Sequence, residues 1–516
     1  MNNNKQDAFH SILFKRAEEK KEETFDAPIF FIDLNLDQII DTITAGKQEY
    51  NLKPFFYSPL NDIDTINYRH EVMRELENKT LFENIESFAQ KMRTMRQHLT
   101  QACKLHYKYQ KESWFLDGVE IYCDAVNCFV HDLELMDLKS RGFLSFREYL
   151  LDYTNSERFT LLLAETKKLK ADLSAVKYAL LIKGNGITVR KYESEVDYSA
   201  EVESTFEKFK QGSVKDYRIE FSEWADMNHI EAKILDLVAQ LHSDIFMGLD
   251  NYCIKNANYL DERISVFDRE IQFYIAYLEH VEILSRVGLK FCYPQVSDRL
   301  KEVYDYETFD LALAYKLLMQ KSPVVCNDFY LKDKERIFVV SGPNQGGKTT
   351  FARTFGQLHY LASIGCPVPG KEAQLFLCDR LFTHFEKEEN IKDLRGKLED
   401  DLIRIYNILA QATPNSIAII NEIFTSTTLK DAVFLSKKIM EEIIKLDLLC
   451  VWVTFVEELA SFSKKAVSMV STVVPENPAL RTYKIVRRSA DGISYAISIA
   501  EKYRLTYDCL KERIKS

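Results

Sequence analysis

The run Ser341-Gly342-Pro343-Asn344-Gln345-Gly346-Gly347-Lys348-Thr349-Thr350 constrains this chain more than any other part of it. It has the form G-x-x-x-x-G-K-T, follows the apolar run RIFVV and opens the helical pattern FARTFGQLHYLASIG. A strand, a glycine-rich turn and a helix in that order form one step of a parallel βα fold. The glycines let backbone N–H groups converge on phosphate oxygens, and the helix N-terminus adds its positive dipole. Lys348 is then in reach of β and γ phosphates and the Thr349 hydroxyl in reach of a magnesium ion. Gly342 to Thr350 are therefore the candidate nucleotide site, with ATP and Mg²⁺ as the ligands expected there.

Strands and helices alternate from about Pro323 to the C-terminus, which implies an α/β domain with a mostly parallel sheet. RIFVVS, LFLCDRLFTHF, SIAII and LLCVWVT read as strands; residues 393–411 and DAVFLSKKIMEEIIKL read as helices. A phosphate loop needs an acidic strand end beside it, and SIAIINE supplies one in Asn421-Glu422. Glu422 is placed to polarise the attacking water. Asn421 stands on the metal side, where an amide oxygen accepts a hydrogen bond but lacks the charge of a good hard-cation ligand. The candidate metal set is thus Thr349, Asn421 and Glu422, and the candidate catalytic pair is Lys348 and Glu422.

The upstream half holds no proline between Pro59 and Pro294, which favours long unbroken helices. Leu36, Ile39, Ile40 and Ile43 mark an amphipathic helix that stops near Gly46, and a second helix begins near Asp62 or Asp64. Residues 81–175 read as helical, with breaks around Gly118 and Gly142. YALLIK and ITVRKY flank Gly184-Asn185-Gly186, the strongest hairpin signal in the chain, and 196–222 is expected to add strand. Helical periodicity resumes after Asn228 and again from Asp261 to Val287. The expected division is a mobile polar N-terminal arm or fringe helix (1–27), a helical core with levers (28–320) carrying a small β tip (176–222), and a nucleotide-binding domain (321–516).

The net charge of −10 gives no global basic signature for nucleic acid. Local cations on the hairpin, Lys183, Arg190 and Lys191, could neutralise phosphates. Basic and acidic residues nearly balance over 165–218, so a DNA-binding face and a solvated face both stay open. The ten cysteines form no C-x-x-C pair and read as reduced thiols. The charged start has no apolar core and no run of 18 apolar residues occurs, so a cytoplasmic chain without membrane association is expected.

The loop SGPNQGGKTTFAR resembles the GPNxGGK[ST] loop of the ATPase of the MutS (DNA mismatch repair) family, whose Pro-Asn is far more specific than a generic phosphate loop. IGCPVPG, LFTHF, NEIFTSTTLKDA and SADGISYAISIAEKYRL resemble later segments of that ATPase, so the likeness spans about 323–505. FFIDLNLDQIIDTI and YSPLNDIDTINYRHEVMRELE resemble its helical core. The resemblance implies a multidomain fold: a mainly α-helical core with long lever helices and a small β clamp, followed by an α/β P-loop (ABC-type) ATPase domain. It implies an ATPase acting as a homodimer, a nucleotide-driven clamp on mismatched or branched double-stranded DNA, with downstream repair proteins as further partners.

Three departures stand out against that pattern. Asn421 replaces an aspartate. Thr454-Phe455 stands where the family has Thr-His, which removes a group able to sense the γ-phosphate. DLRGKLEDDL, with Arg395, Gly396 and Lys397, occupies the place of the Ser/Thr segment that completes a neighbour's site. Slow or differently organised hydrolysis is expected, and with 27 polar residues ahead of the helical core the family's mismatch-reading domain, and so direct mismatch reading, is not expected. The alternatives are a nucleotide-binding DNA scaffold with little turnover and a role other than mismatch repair, such as recombination control. No LSGGQ-like segment supports a transporter ATPase, and the long helices all precede the loop, unlike those of chromosome-organising ATPases.

Overall fold

The computed structural model describes residues 9–16, 18, 22–194, 198–207, 227–386, 396–489, 505, 507 and 510–511. The chain divides into two compact units, one of Met1–Phe9, Glu75–Lys139 and Phe143–Asp268, the other of His10–Arg74, Ser140–Gly142 and Arg269–Ser516.

The first unit is built on two long helices, Lys79–Lys104 and Lys108–Glu134, each about 40 Å long at 1.5 Å per residue. Their three-residue connection makes them antiparallel neighbours. Asn78 caps the first by accepting the Thr80 and Leu81 N–H groups. Gly118 does not break the second helix; it lies in its interior, where a Cβ would already touch Leu99 at 3.4 Å. The break expected around Gly142 falls just ahead of it, at 135–140, and further breaks fall at 105–107 and 155–156. Aromatic packing fills the interior: Phe88 stacks on Phe129 at 4.5 Å and Phe146 on Phe267 at 3.6 Å.

The hairpin forms as the Gly-Asn turn predicts, from β1 (Tyr178–Lys183) and β2 (Gly186–Lys191), with Gly184 at φ +58. The strand expected over 196–222 is not found where that stretch is described. Tyr198–Glu207 is a helix, and 195–197 and 208–222 lie outside the described residues. Helix His229–Leu241 starts in a capping box between Asn228 and Glu231. Val189 of the hairpin packs against it through Val238, Ile234 and Leu235.

The second unit carries β3 (Phe291–Cys292), β4 (Gln295–Ser297), β5 (Val303–Thr308), β6 (Asn327–Leu331), β7 (Ile337–Ser341), β8 (Val368–Pro369), β9 (Glu372–Phe376), β10 (Leu381–His384), β11 (Ile417–Asn421), β12 (Leu449–Val453), β13 (Ala466–Val474) and β14 (Asn477–Arg487). The main sheet has the order β10-β11-β12-β7-β13-β14, parallel except for β14. Every residue of β7, β11 and β12 is buried, as a parallel sheet covered on both faces requires. A four-stranded sheet, β4-β9-β5-β6, stands beside it in the chain order.

Three expectations change here. LFLCDRLFTHF is two strands in two sheets, β9 and β10, because Cys378–Arg380 turns the chain between them. The sheet joining β5 to β6 crosses the expected 320/321 boundary, so residues 295–320 fold with the nucleotide-binding half. The polar arm is anchored: Ile12 and Leu13 are fully buried, Ser11 Oγ donates to Glu270 Oε2 at 2.6 Å, and Tyr274 OH donates to Ile12 O at 2.7 Å. Two adjacent apolar side chains in a charged segment are enough to fix it when backbone groups on both sides find partners. Among the described residues no helix is long and apolar enough to cross a membrane.

Candidate nucleotide site

The loop leaves β7 and enters helix Lys348–Ser363 through three left-handed residues, Gly342 (φ +114), Gln345 (φ +59) and Gly347 (φ +91). The glycines are needed for space as well as for φ. A Cβ on Gly342 would lie 2.9 Å from Ser471 O, and one on Gly346 would collide with the Ser471 hydroxyl. Ser471, on the neighbouring strand β13, donates to Gly346 O at 2.7 Å and braces the loop from below.

Lys348 is 6% exposed and folds back over the loop it follows. Its Nζ donates to Gly342 O (3.1 Å), Pro343 O (3.3 Å) and Asn344 Oδ1 (3.2 Å), and lies 3.5 Å from Glu422 Oε1. Burial holds its pKa below the ordinary lysine value; the Glu422 carboxylate opposes that shift and the positive charge of Arg481 adds to it. Thr349 Oγ1 donates to Asn421 Oδ1 at 3.0 Å. The Thr350 carbonyl accepts from Thr354 Oγ1 inside the helix.

The turn after β11 is strained. Glu422 (φ +50) and Phe424 (φ +61) are both left-handed without being glycine, at roughly 1–3 kcal/mol each. Two bonds hold the turn: Glu422 N–H donates to Val453 O (2.9 Å), and Phe424 N–H donates to Asp401 Oδ2 (3.2 Å). Asp401 in turn lies 3.2 Å from His384 Nε2, and both residues are buried. Burial works to raise the Asp401 pKa, but His384, the Phe424 N–H and Arg404 together hold it below the usual carboxylate value.

The structure thus brings Gly342 to Thr350 together with Asn421 and Glu422. Phe455 projects past the end of β12, about half exposed (48%), and Thr454 Oγ1 accepts the Val456 N–H. Gly396 and Lys397 begin helix Lys397–Gln411, and Arg395 lies outside the described residues. The hairpin cations belong to the other unit. Strand pairing puts Lys183 and Arg190 on one face and Lys191 on the other, the face that Val189 turns toward helix His229–Leu241.

Sequence reasoning missed Asp401, His384, Ser471 and Arg481. Asp401 alone left a signal: with Leu398 three residues before it and Ile405 four after, it sits on the apolar face of its helix. The others act across strands distant in sequence.

A strand, a glycine loop braced from the neighbouring strand, a buried lysine and a carboxylate beside it define a phosphate-loop nucleotide-binding domain of the α/β type. The hydroxyl, amide and carboxylate oxygens of Thr349, Asn421 and Glu422 form a hard donor set that fits Mg²⁺. Residues 338–513 match the family model of MutS domain V. The chain is similar to the DNA mismatch repair protein MutS of Orientia tsutsugamushi strain Boryong, 29% identical over 41% of this chain and 24% of the relative. MutS of Thermotoga maritima is 31% identical over 34% of this chain and 22% of its own length. The endonuclease MutS2 of Thermus thermophilus is 29% identical over 40% and 27%. Over these residues the chain is similar to the MutS family. The matches span about a quarter of the length of these relatives.

Proposed function

We propose that this chain is an ATP-dependent DNA-binding protein of the MutS type, a cytoplasmic homodimer whose nucleotide state drives a clamp on mismatched or branched duplex DNA. The convergence of Lys348, Glu422 and the Thr349–Asn421 pair on one glycine loop carries the reading. Backbone N–H groups of Gly342 and Asn344–Thr350 and the Lys348 ammonium bind the phosphates; Thr349, Asn421 and Glu422 would hold Mg²⁺; Glu422 orients the water that attacks the terminal phosphate. When bound, Mg²⁺ would supply positive charge at the phosphate oxygens. In the same reading the helical unit supplies core and levers, the hairpin is the clamp tip, and downstream repair proteins are the further partners. Lys183 and Arg190, on one hairpin face but near its opposite ends, neutralise DNA phosphates without reading sequence.

A second reading, a nucleotide-binding DNA scaffold with little turnover, is favoured by the uncharged Asn421 at the metal position and by Phe455, which offers no donor at the end of β12. Two measurements decide between them. Competition among homoduplex, mismatched and four-way-junction DNA, with and without ATP at fixed salt, is expected to favour the mismatch or the junction; equal affinity reduces the function to generic DNA binding, and no affinity removes DNA. Phosphate release that stops after one turnover selects the scaffold.

A further inference from the structure

β14 is not a plain edge strand. Its pairing with β13 slips between Ser471–Ile485 and Val473–Arg481, so Thr472 faces three residues, Thr482 to Lys484. At the centre of that bulge Tyr483 takes φ +59, a costly conformation for an aromatic residue that persists only where its surroundings dictate it. They do. Asn327 donates from Nδ2 to Tyr483 O (3.2 Å) and accepts the Ile485 N–H at Oδ1 (2.8 Å), and Thr482 Oγ1 donates to Thr472 O (2.9 Å). A bulge pinned this firmly re-aims side chains.

What it aims at is the phosphate loop. The Tyr483 backbone passes 3.7 Å from where a Cβ on Gly347 would sit. Arg481, where the bulge begins, donates from Nε to Asn344 O at 3.2 Å, and the same Asn344 receives Lys348 Nζ at its side-chain oxygen. Two cations therefore meet on one loop residue, and Glu422 lies 3.5 Å from the lysine. Such a concentration of positive charge suits a polyanion laid across the loop.

We propose that Arg481 is a phosphate ligand supplied from the chain's own β14, held by the Tyr483 bulge so that its guanidinium meets the terminal phosphate of a bound nucleoside triphosphate. The inference rests on the reading of Gly342–Thr350 as a nucleotide site and deepens it: the site then discriminates triphosphate from diphosphate through a residue outside the loop motif, on the opposite side of β7 from Phe455.

The test is the affinity of the full chain for β,γ-imido-ATP and for ADP, each with Mg²⁺, by calorimetry on wild type, Arg481→Ala and Arg481→Lys. Loss of one charge-assisted contact is expected to weaken the triphosphate analogue about 10-fold or more while ADP changes less than about threefold, with Arg481→Lys partly restored because it keeps the charge. Equal weakening of both nucleotides would make Arg481 a tether of the loop and overturn the proposal, as would no weakening at all. Arg481→Lys serves if the alanine variant melts early. Wild-type protein that binds neither nucleotide would refute the phosphate-loop reading itself, an outcome distinct from failure at Arg481.

Discussion

Thr349 Oγ1 donates to Asn421 Oδ1 across 3.0 Å, joining the first turn of the loop helix to the end of β11. An amide oxygen accepts this bond where a carboxylate oxygen would, so the geometry is kept while the charge proposed for a metal ligand is not. Asn421→Asp is therefore expected to tighten Mg²⁺ binding and to raise steady-state phosphate release several-fold, measured at limiting and saturating Mg²⁺. A variant with unchanged metal dependence would show that residue 421 lies outside the metal's reach.

Lys348 is buried and tied to Glu422. Removing it leaves the carboxylate facing a loop meant for anions. Lys348→Ala is expected to abolish detectable nucleotide binding and nucleotide-dependent release from DNA. Release that persists in this variant would contradict the proposed coupling of nucleotide to DNA binding.

Asp401 and His384 act through backbone, holding the left-handed Phe424 in place. Asp401→Asn weakens that hold and leaves every residue of the phosphate loop intact. Its expected signature is a fall in turnover with little change in nucleotide affinity, alongside a stability loss of about 1–3 kcal/mol. A rise in KM with kcat unchanged would contradict the assigned role.

At Gly356 the loop helix packs tightly against its surroundings. A Cβ there would stand 2.6 Å from Ile419 Cδ1 and 2.7 Å from Leu34 Cδ1. Gly356→Ala should gain helix propensity yet lose more to overpacking, for a net destabilisation of about 1–3 kcal/mol by urea unfolding. Unaltered or increased stability would mean the helix can shift freely against β11.

Three buried histidines should each weaken the second unit in acid, against the buried Asp305, whose carboxyl burial pushes up to about 9 and which therefore adds stability as the pH falls. Burial pushes His70, His280 and His359 each down to about 4. Below the ordinary histidine value of 6.5 the unfolded chain binds protons that the folded chain refuses, so stability is fully present above 6.5 and drains as the pH falls toward 4. At pH 5.5 the cost is about 1 kcal/mol per histidine. Urea unfolding at pH 7.5 and 5.5 of wild type and His280→Asn checks it: the wild type should lose about 1 kcal/mol more than the variant between the two pH values, and equal losses would rule it out.

The nucleotide loop was legible in the sequence because its function is local: glycines, lysine and threonine occupy consecutive positions, and the strand and helix around them have their own periodicities. The Gly-Asn turn of the hairpin and the Asn228–Glu231 capping box were legible for the same reason. Gly118 was misread because a lone glycine signals a break or a close helix contact equally well, and only the position of Leu99 distinguishes the two. The N-terminal segment was misread because its composition is polar, whereas burial depends on two side chains and the groups waiting for them.

By itself, the sequence determined that a phosphate loop follows a buried strand, that Asn421-Glu422 closes a second strand, and that long helices precede both. Tertiary structure alone decided that Ser471 braces the loop, that Asp401 and His384 reach the turn after Glu422, and that a bulge brings Arg481 onto Asn344. These contacts join residues tens to more than a hundred positions apart. Such partners are chosen by sheet order and strand register, which depend on the packing of the whole domain and leave no mark in any local window.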